Sequence, residues 1–145
     1  MNFFVMRPEP SVHDNFVYAY SVDCEGRRLT LHTAYRDREP HEFTDVVFRD
    51  VVAHHFEHVL PGNILFDVEE ADVAAVVREN ERLLAESWRY GWPPVEYRGN
   101  PDALVMALKA SSVRAYTVSS SYGLSGWVLA SACERVTRGE PARIA

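Results

Sequence analysis

The sequence predicts an α+β fold, in which a mainly antiparallel sheet of about six strands carries two helices packed on one face. Apolar and polar residues alternate through much of the first half of the chain and again near its end, which is the period of a β-strand. Between these regions the apolar residues take a helical period. The resulting order is β-β-β-β-α-α-β-β. This segregation favours helices on one face of an antiparallel sheet over a Rossmann-type alternation.

The length of the chain, 145 residues, is that of one domain with a sizeable core. We expect a single domain over 1–145, with 1–15 as an N-terminal arm or edge strand and 137–145 as a polar tail. No apolar run approaches the roughly 20 residues of a membrane span, and the start lacks the features of a signal peptide. The two cysteines, Cys24 and Cys133, lack metal-ligand spacing and favour a reducing compartment. We therefore expect a cytoplasmic protein.

The first strands are predicted from period-two alternation. Phe16–Asp23 and Arg28–Tyr35 each place apolar residues on one face, and the turn between them contains Gly26, so they should form a hairpin. After a charged loop, a long strand begins near Asp45. Its alternation changes phase at Val51-Val52, which indicates a bulge or bend partway along.

The next segment predicts a tight turn, a strand and a long helix. Leu60–Asn63 has proline then glycine at its centre, which suits a type II turn. Ile64–Glu69 alternates again and reads as a strand. From Glu70 an apolar stripe at helical spacing predicts a helix that ends near Gly91, where two prolines follow.

The last third of the chain predicts a second helix and two strands. Asn100-Pro101-Asp102 is a typical helix start, and the helix should run to about Ala110. Strands follow at Val113–Ser120 and Ser125–Glu134. Within the second of these, Trp127–Ala130 is continuously apolar, which indicates a strand buried on both faces.

Negative charge is concentrated between Asp37 and Asp72, where ten acids and two bases give −8 against a total of −6. Such a field repels nucleic acid and attracts a basic protein partner. A solvated face that keeps the protein soluble is the alternative. Aromatic residues near the predicted end of the first helix should either cover the core or form part of a protein interface, where Trp and Tyr are enriched. The predicted partner-binding residues are Asp50, Glu57, Asp67, Glu69, Glu70, Asp72 and Trp92.

A histidine cluster offers a second hypothesis. Residues 54–58 match H-x-x-E-H, a zinc-peptidase pattern that requires a helix. In a strand, His54 and His58 lie roughly 13 Å apart, too far to share one ion. They remain candidate metal ligands for a small metal-binding domain or enzyme that also uses Asp67 and Glu69. We expect no catalytic set, no cofactor, no nucleic-acid partner and no membrane association.

Several short segments resemble small bacterial proteins, some of which are immunity proteins encoded beside polymorphic toxins. The segments are Val46–Phe48, Gly62–Asp67, Gly91–Pro93 and Ser121–Val128, and the resemblance covers 16–134 in outline. It implies a toxin-neutralising binder without enzymatic activity. Together with the charge, it predicts a cytoplasmic binding protein that presents an acidic surface to a basic partner. A structural subunit of a homo-oligomer is a third alternative.

Overall fold

The computed structural model describes residues 9–97 and 99–144, so most of the predicted N-terminal arm lies outside the described residues. Over these ranges the chain forms eight strands and three α-helices. The strands are β1 Phe16–Asp23, β2 Arg28–Tyr35, β3 Glu42–Arg49, β4 Ala53–Glu57, β5 Ile64–Ala71, β6 Arg114–Tyr122, β7 Ser125–Ala130 and β8 Ala132–Arg138. The helices are α1 Val73–Glu79, α2 Glu81–Ser87 and α3 Pro101–Ala110. No helix in the described ranges is long and apolar enough to cross a membrane.

The strands form one antiparallel sheet in the order β4-β7-β6-β5-β1-β2-β3-β8. The sequence predicted about six strands and the structure has eight, because two strands that were predicted to be long and continuous each bend and are divided in two. The bend expected at Val51-Val52 separates β3 from β4, and Ser131 separates β7 from β8. Hydrogen bonds continue across the bend, from Ser131 N to Arg49 O and from Val52 N to Leu129 O, both 2.9 Å long.

The two bends fold the sheet into two four-stranded halves that face each other, which is how strands make the corners of orthogonal sheet packing. One half is β1-β2-β3-β8 and the other is β5-β6-β7-β4. Phe48 of β3 and Tyr116 of β6 meet across the interior with ring centroids 5.7 Å apart. A core of fully or nearly fully buried residues fills this space, including Leu29, Leu31 and Val128.

The helices cover the outer face of the second half. Their buried residues pack with Ala115, Trp127 and Leu129 in a second core. Val128 and Ala130 face the first core, so the strand predicted to be buried on both faces is confirmed. The start of α3 is also confirmed, because the Asn100 side chain accepts a hydrogen bond from Ala103 N at 3.1 Å.

The predicted long helix is divided at Asn80, which accounts for three helices instead of two. Asn80 leaves helical geometry at φ −112° and its side chain donates to Val76 O at 2.8 Å. The first helix also begins later than predicted, since Glu69 and Glu70 remain paired with β6. Asp72 is the N-cap and accepts from Ala74 N at 3.4 Å.

The predicted type II turn is wrong. Gly62 lacks the positive φ of a type II turn. The turn is closed instead by Asn63, whose side chain accepts from Leu60 N at 2.9 Å and donates to Leu60 O at 2.7 Å. In addition, β4 and β5 do not pair as a hairpin, because β7 and β6 lie between them.

The predicted tail begins later than residue 137, because β8 continues to Arg138. Beyond it the chain turns back towards the first strand, and Ala142 N donates to Tyr18 Oη at 2.8 Å. The tail therefore contacts the outer face of the first half.

Candidate functional site

The acidic segment is partly neutralised by bases from elsewhere in the chain. In the described ranges, four of its acids form salt bridges with residues beyond position 72. The pairs are Asp45–Arg138 at 3.1 Å, Asp67–Arg135 at 3.2 Å, Glu70–Arg114 at 3.3 Å and Asp72–Lys109 at 3.9 Å. Asp45 and Asp67 are also the more buried members, so their carboxylates are less accessible to a partner than those of Glu70 and Asp72.

Three of the predicted partner-binding acids have no lysine or arginine salt-bridge partner among the described residues. Asp50 lies at the bend with φ 51° and accepts from Ser131 Oγ at 2.6 Å. Glu57 ends β4 and lies 3.9 Å from His55 and 3.8 Å from His58. Glu69 is exposed on β5. In the sheet, β5 lies three strand positions from β4, which is about 14 Å at ordinary strand spacing. The predicted partner-binding acids therefore fall into two groups. The first is Asp50 and Glu57, before β4 and at its end, and the second is the acids of β5 together with Asp72.

A groove lies beside the first of these groups, between β4 and the helical turn that follows α2. We call it the aromatic groove. It has a volume of about 360 Å³. Its aromatic walls are His54, His55, Tyr90, Trp92 and Trp127. The predicted partner residue Trp92 therefore lines a groove beside β4, the strand that ends at Glu57.

Trp127 forms the floor of the aromatic groove. Its side chain is 7% exposed, and its indole N–H has no hydrogen-bond partner in the described part of the chain. The His55 ring lies over it, with centroids 6.2 Å apart. An unsatisfied buried donor costs about 1–3 kcal/mol. At the rim, by contrast, Tyr90 is 90% exposed, an unusual placement for a large aromatic side chain.

One histidine of the groove, His54, contributes little positive charge at neutral pH. Burial, and then the neighbouring His55, lower the pKa of His54 below its ordinary value of 6.5. This ring is therefore uncharged near pH 7. The Glu57 carboxylate at the end of β4 favours a basic ligand there. At the bend before β4, by contrast, the Arg27 guanidinium donates to the carbonyl oxygens of Asp50 and Val51 at 3.4 Å.

The structure does not bring together the predicted metal ligands. His58 lies beyond the end of β4 with φ 60°, and β5, which carries Asp67 and Glu69, is separated from β4 by two strands. Asp67 is bound to Arg135 instead. Within the described residues, no group of three or more His, Cys, Asp or Glu side chains is placed to hold a metal ion.

Sequence reasoning missed a line of polar residues across the outer face of the first half. Ser21 Oγ lies 3.2 Å from His32 Nε2, and His32 Nδ1 lies 2.9 Å from Asp45 Oδ1. The three residues lie on β1, β2 and β3. Their separations in sequence, 11 and 13 residues, carry no motif. The pairing of the strands brings them together. Ala19, two residues before Ser21 and on the same face of β1, lies opposite His32, and His32 lies opposite Asp45.

Comparison with known protein families, curated proteins and solved structures finds no match to this chain. Functional inference therefore rests on the geometry of its own residues.

Proposed function

We propose that this protein is a binding module that engages a basic protein partner through the aromatic groove and the carboxylates beside it. The observation that carries the proposal is the groove itself, where the exposed Tyr90 and half-buried Trp92 border the unsatisfied indole of Trp127. Trp and Tyr are enriched among residues that dominate binding energy. The sequence resemblance supports a toxin-neutralising immunity protein of the cytoplasm as the specific form of this module.

The charges support the choice of a basic partner. Glu57 ends β4 and Asp50 lies at the bend three residues before that strand begins, and neither carboxylate forms a salt bridge with arginine or lysine in the described ranges. The second group, Asp67, Glu69, Glu70 and Asp72, is a weaker candidate because three of its four acids are already paired. Carboxylates at the rim of an interface accelerate association and make it depend on salt.

The proposal is tested by affinity capture from the native lysate, using the wild-type chain and two variants as bait. Tyr90→Ala removes an exposed ring without opening the core, and Glu57→Lys reverses a charge at the end of β4. We expect each variant to lose the principal basic partner, with affinity reduced about tenfold or more in Tyr90→Ala. Binding of that purified partner should weaken steeply as salt is raised.

A matched control is Glu140→Lys, which makes the same charge change on an exposed residue of the tail. This variant should bind as the wild type does. If Tyr90→Ala and Glu57→Lys retain the same partner with unchanged affinity, the groove is not the interface. If the chain captures only itself and its mass in solution is that of an oligomer, the homo-oligomer alternative replaces this proposal.

A further inference from the structure

We propose that Ser21 is an activated nucleophile, with His32 as its general base and Asp45 as the residue that positions His32. The Ser21 Oγ to His32 Nε2 distance is 3.2 Å and the His32 Nδ1 to Asp45 Oδ1 distance is 2.9 Å. A nucleophile within reach of a base that is oriented by a third group defines a catalytic triad, irrespective of fold or sequence order. This site is separate from the aromatic groove, and the two proposals can fail independently.

The hydrogen bonds select the tautomer that such a base requires. The Asp45 carboxylate accepts a hydrogen bond from the Nδ1–H group of His32, so Nε2 carries no hydrogen and can accept the hydroxyl proton of Ser21. The second carboxylate oxygen of Asp45 accepts from Arg138 at 3.1 Å. Both His32 and Asp45 are buried, at 9% and 6% exposure, so their arrangement is held by packing.

The nucleophile is accessible to a substrate. Ser21 is an exposed residue near the end of β1, on the half of the sheet that the helices leave uncovered. The tail contacts Tyr18 nearby, and Tyr18 lies against the His32 ring, with centroids 6.2 Å apart. One side of the base is therefore screened from water, while the serine faces solvent.

Backbone donors are available beside the serine. Among the described residues, β1 pairs with β2 along its length but with β5 only at Phe16. In an antiparallel strand, alternate residues direct their N–H groups to opposite edges. Either Ser21 or its neighbours Tyr20 and Val22 therefore present an N–H group on the unpaired edge. Such groups are the usual stabilisers of an oxyanion formed at a serine.

The substrate class is a small, activated carboxylic ester, since Ser21 is exposed on the sheet surface and lines none of the main cavities in the part of the chain that the structure describes. The Ser21 hydroxyl gives its proton to His32 Nε2 as Oγ bonds to the carbonyl carbon. When the tetrahedral intermediate collapses, the ester C–O bond breaks and the leaving alkoxide or phenolate takes the proton from His32. Water then attacks the acyl-serine by the same steps and releases the acid.

The test uses an alkyl fluorophosphonate, which forms an Oγ–P bond as the P–F bond breaks and fluoride leaves. The folded wild-type protein should gain one adduct in its intact mass, located at Ser21 by peptide mapping. Ser21→Ala should gain no adduct. In His32→Gln the rate of labelling should fall about a hundredfold or more relative to the wild type. Release of p-nitrophenolate from p-nitrophenyl acetate should follow the same order.

Two further variants separate activation from structure. Ser119→Ala removes an exposed serine of β6, and it should react like the wild type. Asp45→Asn should lose labelling while retaining the cooperative unfolding transition, because it keeps the shape of the side chain and removes the charge that orients His32. An unmodified folded wild type, or an adduct that persists in Ser21→Ala, would show that the three residues form only a structural network and would overturn the proposal.

Discussion

Asn63 is a single residue that joins two separate turns. It is 4% exposed. Its Oδ1 accepts from Leu60 N and from Leu124 N, both at 2.9 Å, and its Nδ2 donates to Leu60 O at 2.7 Å. The connection after β4 is thereby fastened to the turn between β6 and β7. Close approach of the chain there also explains Gly123, where a Cβ atom would lie 2.3 Å from Asn63 Oδ1.

We expect Asn63→Ala to lower the free energy of unfolding by about 2–4 kcal/mol, because it leaves backbone groups of both turns without partners. Denaturant titration followed by circular dichroism measures the change. Asn80→Ala is the control, since it removes one side-chain hydrogen bond at a helix end. A loss at Asn63 no larger than that at Asn80 would contradict the role assigned to Asn63.

His54 is a residue whose protonation opposes folding. Burial and His55 lower its pKa in the folded protein below 6.5, so the unfolded chain binds a proton that the folded chain does not. Stability should therefore fall as pH drops through 6.5 towards the lowered folded value. Unfolding measured at about pH 7.5 and about pH 5.5, on either side of the ordinary histidine pKa, should show a smaller difference in His54→Gln. An unchanged difference would exclude this contribution.

At the scale of elements, local sequence signals predicted those parts whose cause is local. The bounds of β1 and β2 follow from alternation, and α3 begins where Asn100 caps it. The proline-glycine pair predicted a tight turn after β4, but it did not predict that β4 pairs with β7. That choice depends on an apolar face of β7 some 70 residues away, which no local pattern reports. The helix break at Asn80 was likewise hidden within a continuous apolar stripe.

The short helix α2 is attached to the sheet through Leu84, its buried residue. Leu84 is 6% exposed and also lines the aromatic groove. We expect Leu84→Ala to reduce the free energy of unfolding by about 2–4 kcal/mol, since the cavity beneath the helix cannot close fully. Met106→Ala makes a comparable truncation at a side chain that is 72% exposed on α3, and it should change stability little. Equal losses in denaturant titrations would argue against this anchoring.

At the scale of the whole molecule, the sites arise from the way two sheet halves are joined. The aromatic groove forms beside β4, after the chain has crossed at the bend from β3 in the first half to the second half, which also carries the helices. The Ser21–His32–Asp45 line requires the register of three neighbouring strands. Sequence reasoning identified Trp92, Asp50 and Glu57 as surface candidates from composition and charge. It also predicted an aromatic cluster that includes Tyr90 and Trp92. It could not find Trp127 beside them, or Ser21 as a partner of His32, because those contacts exist only after folding.

The joint between the halves can be monitored through the two cysteines. Cys24 is exposed in the β1–β2 turn, whereas Cys133 packs against the core between the halves. Burial raises the pKa of the Cys133 thiol to about 12, and only the thiolate attacks a disulfide reagent. In the folded protein, Ellman's reagent should therefore modify Cys24 rapidly and Cys133 only when the halves separate.

In Cys24→Ser, the slow reaction of Cys133 should accelerate with denaturant along the same curve as global unfolding, since the core between the halves forms as one unit. Circular dichroism measured in parallel provides the comparison. The matched variant Cys133→Ser should retain only the fast phase. Rapid modification of Cys133 in the absence of denaturant would show that its thiol is reached without global unfolding, and it would contradict the coupling of this thiol to the core between the halves.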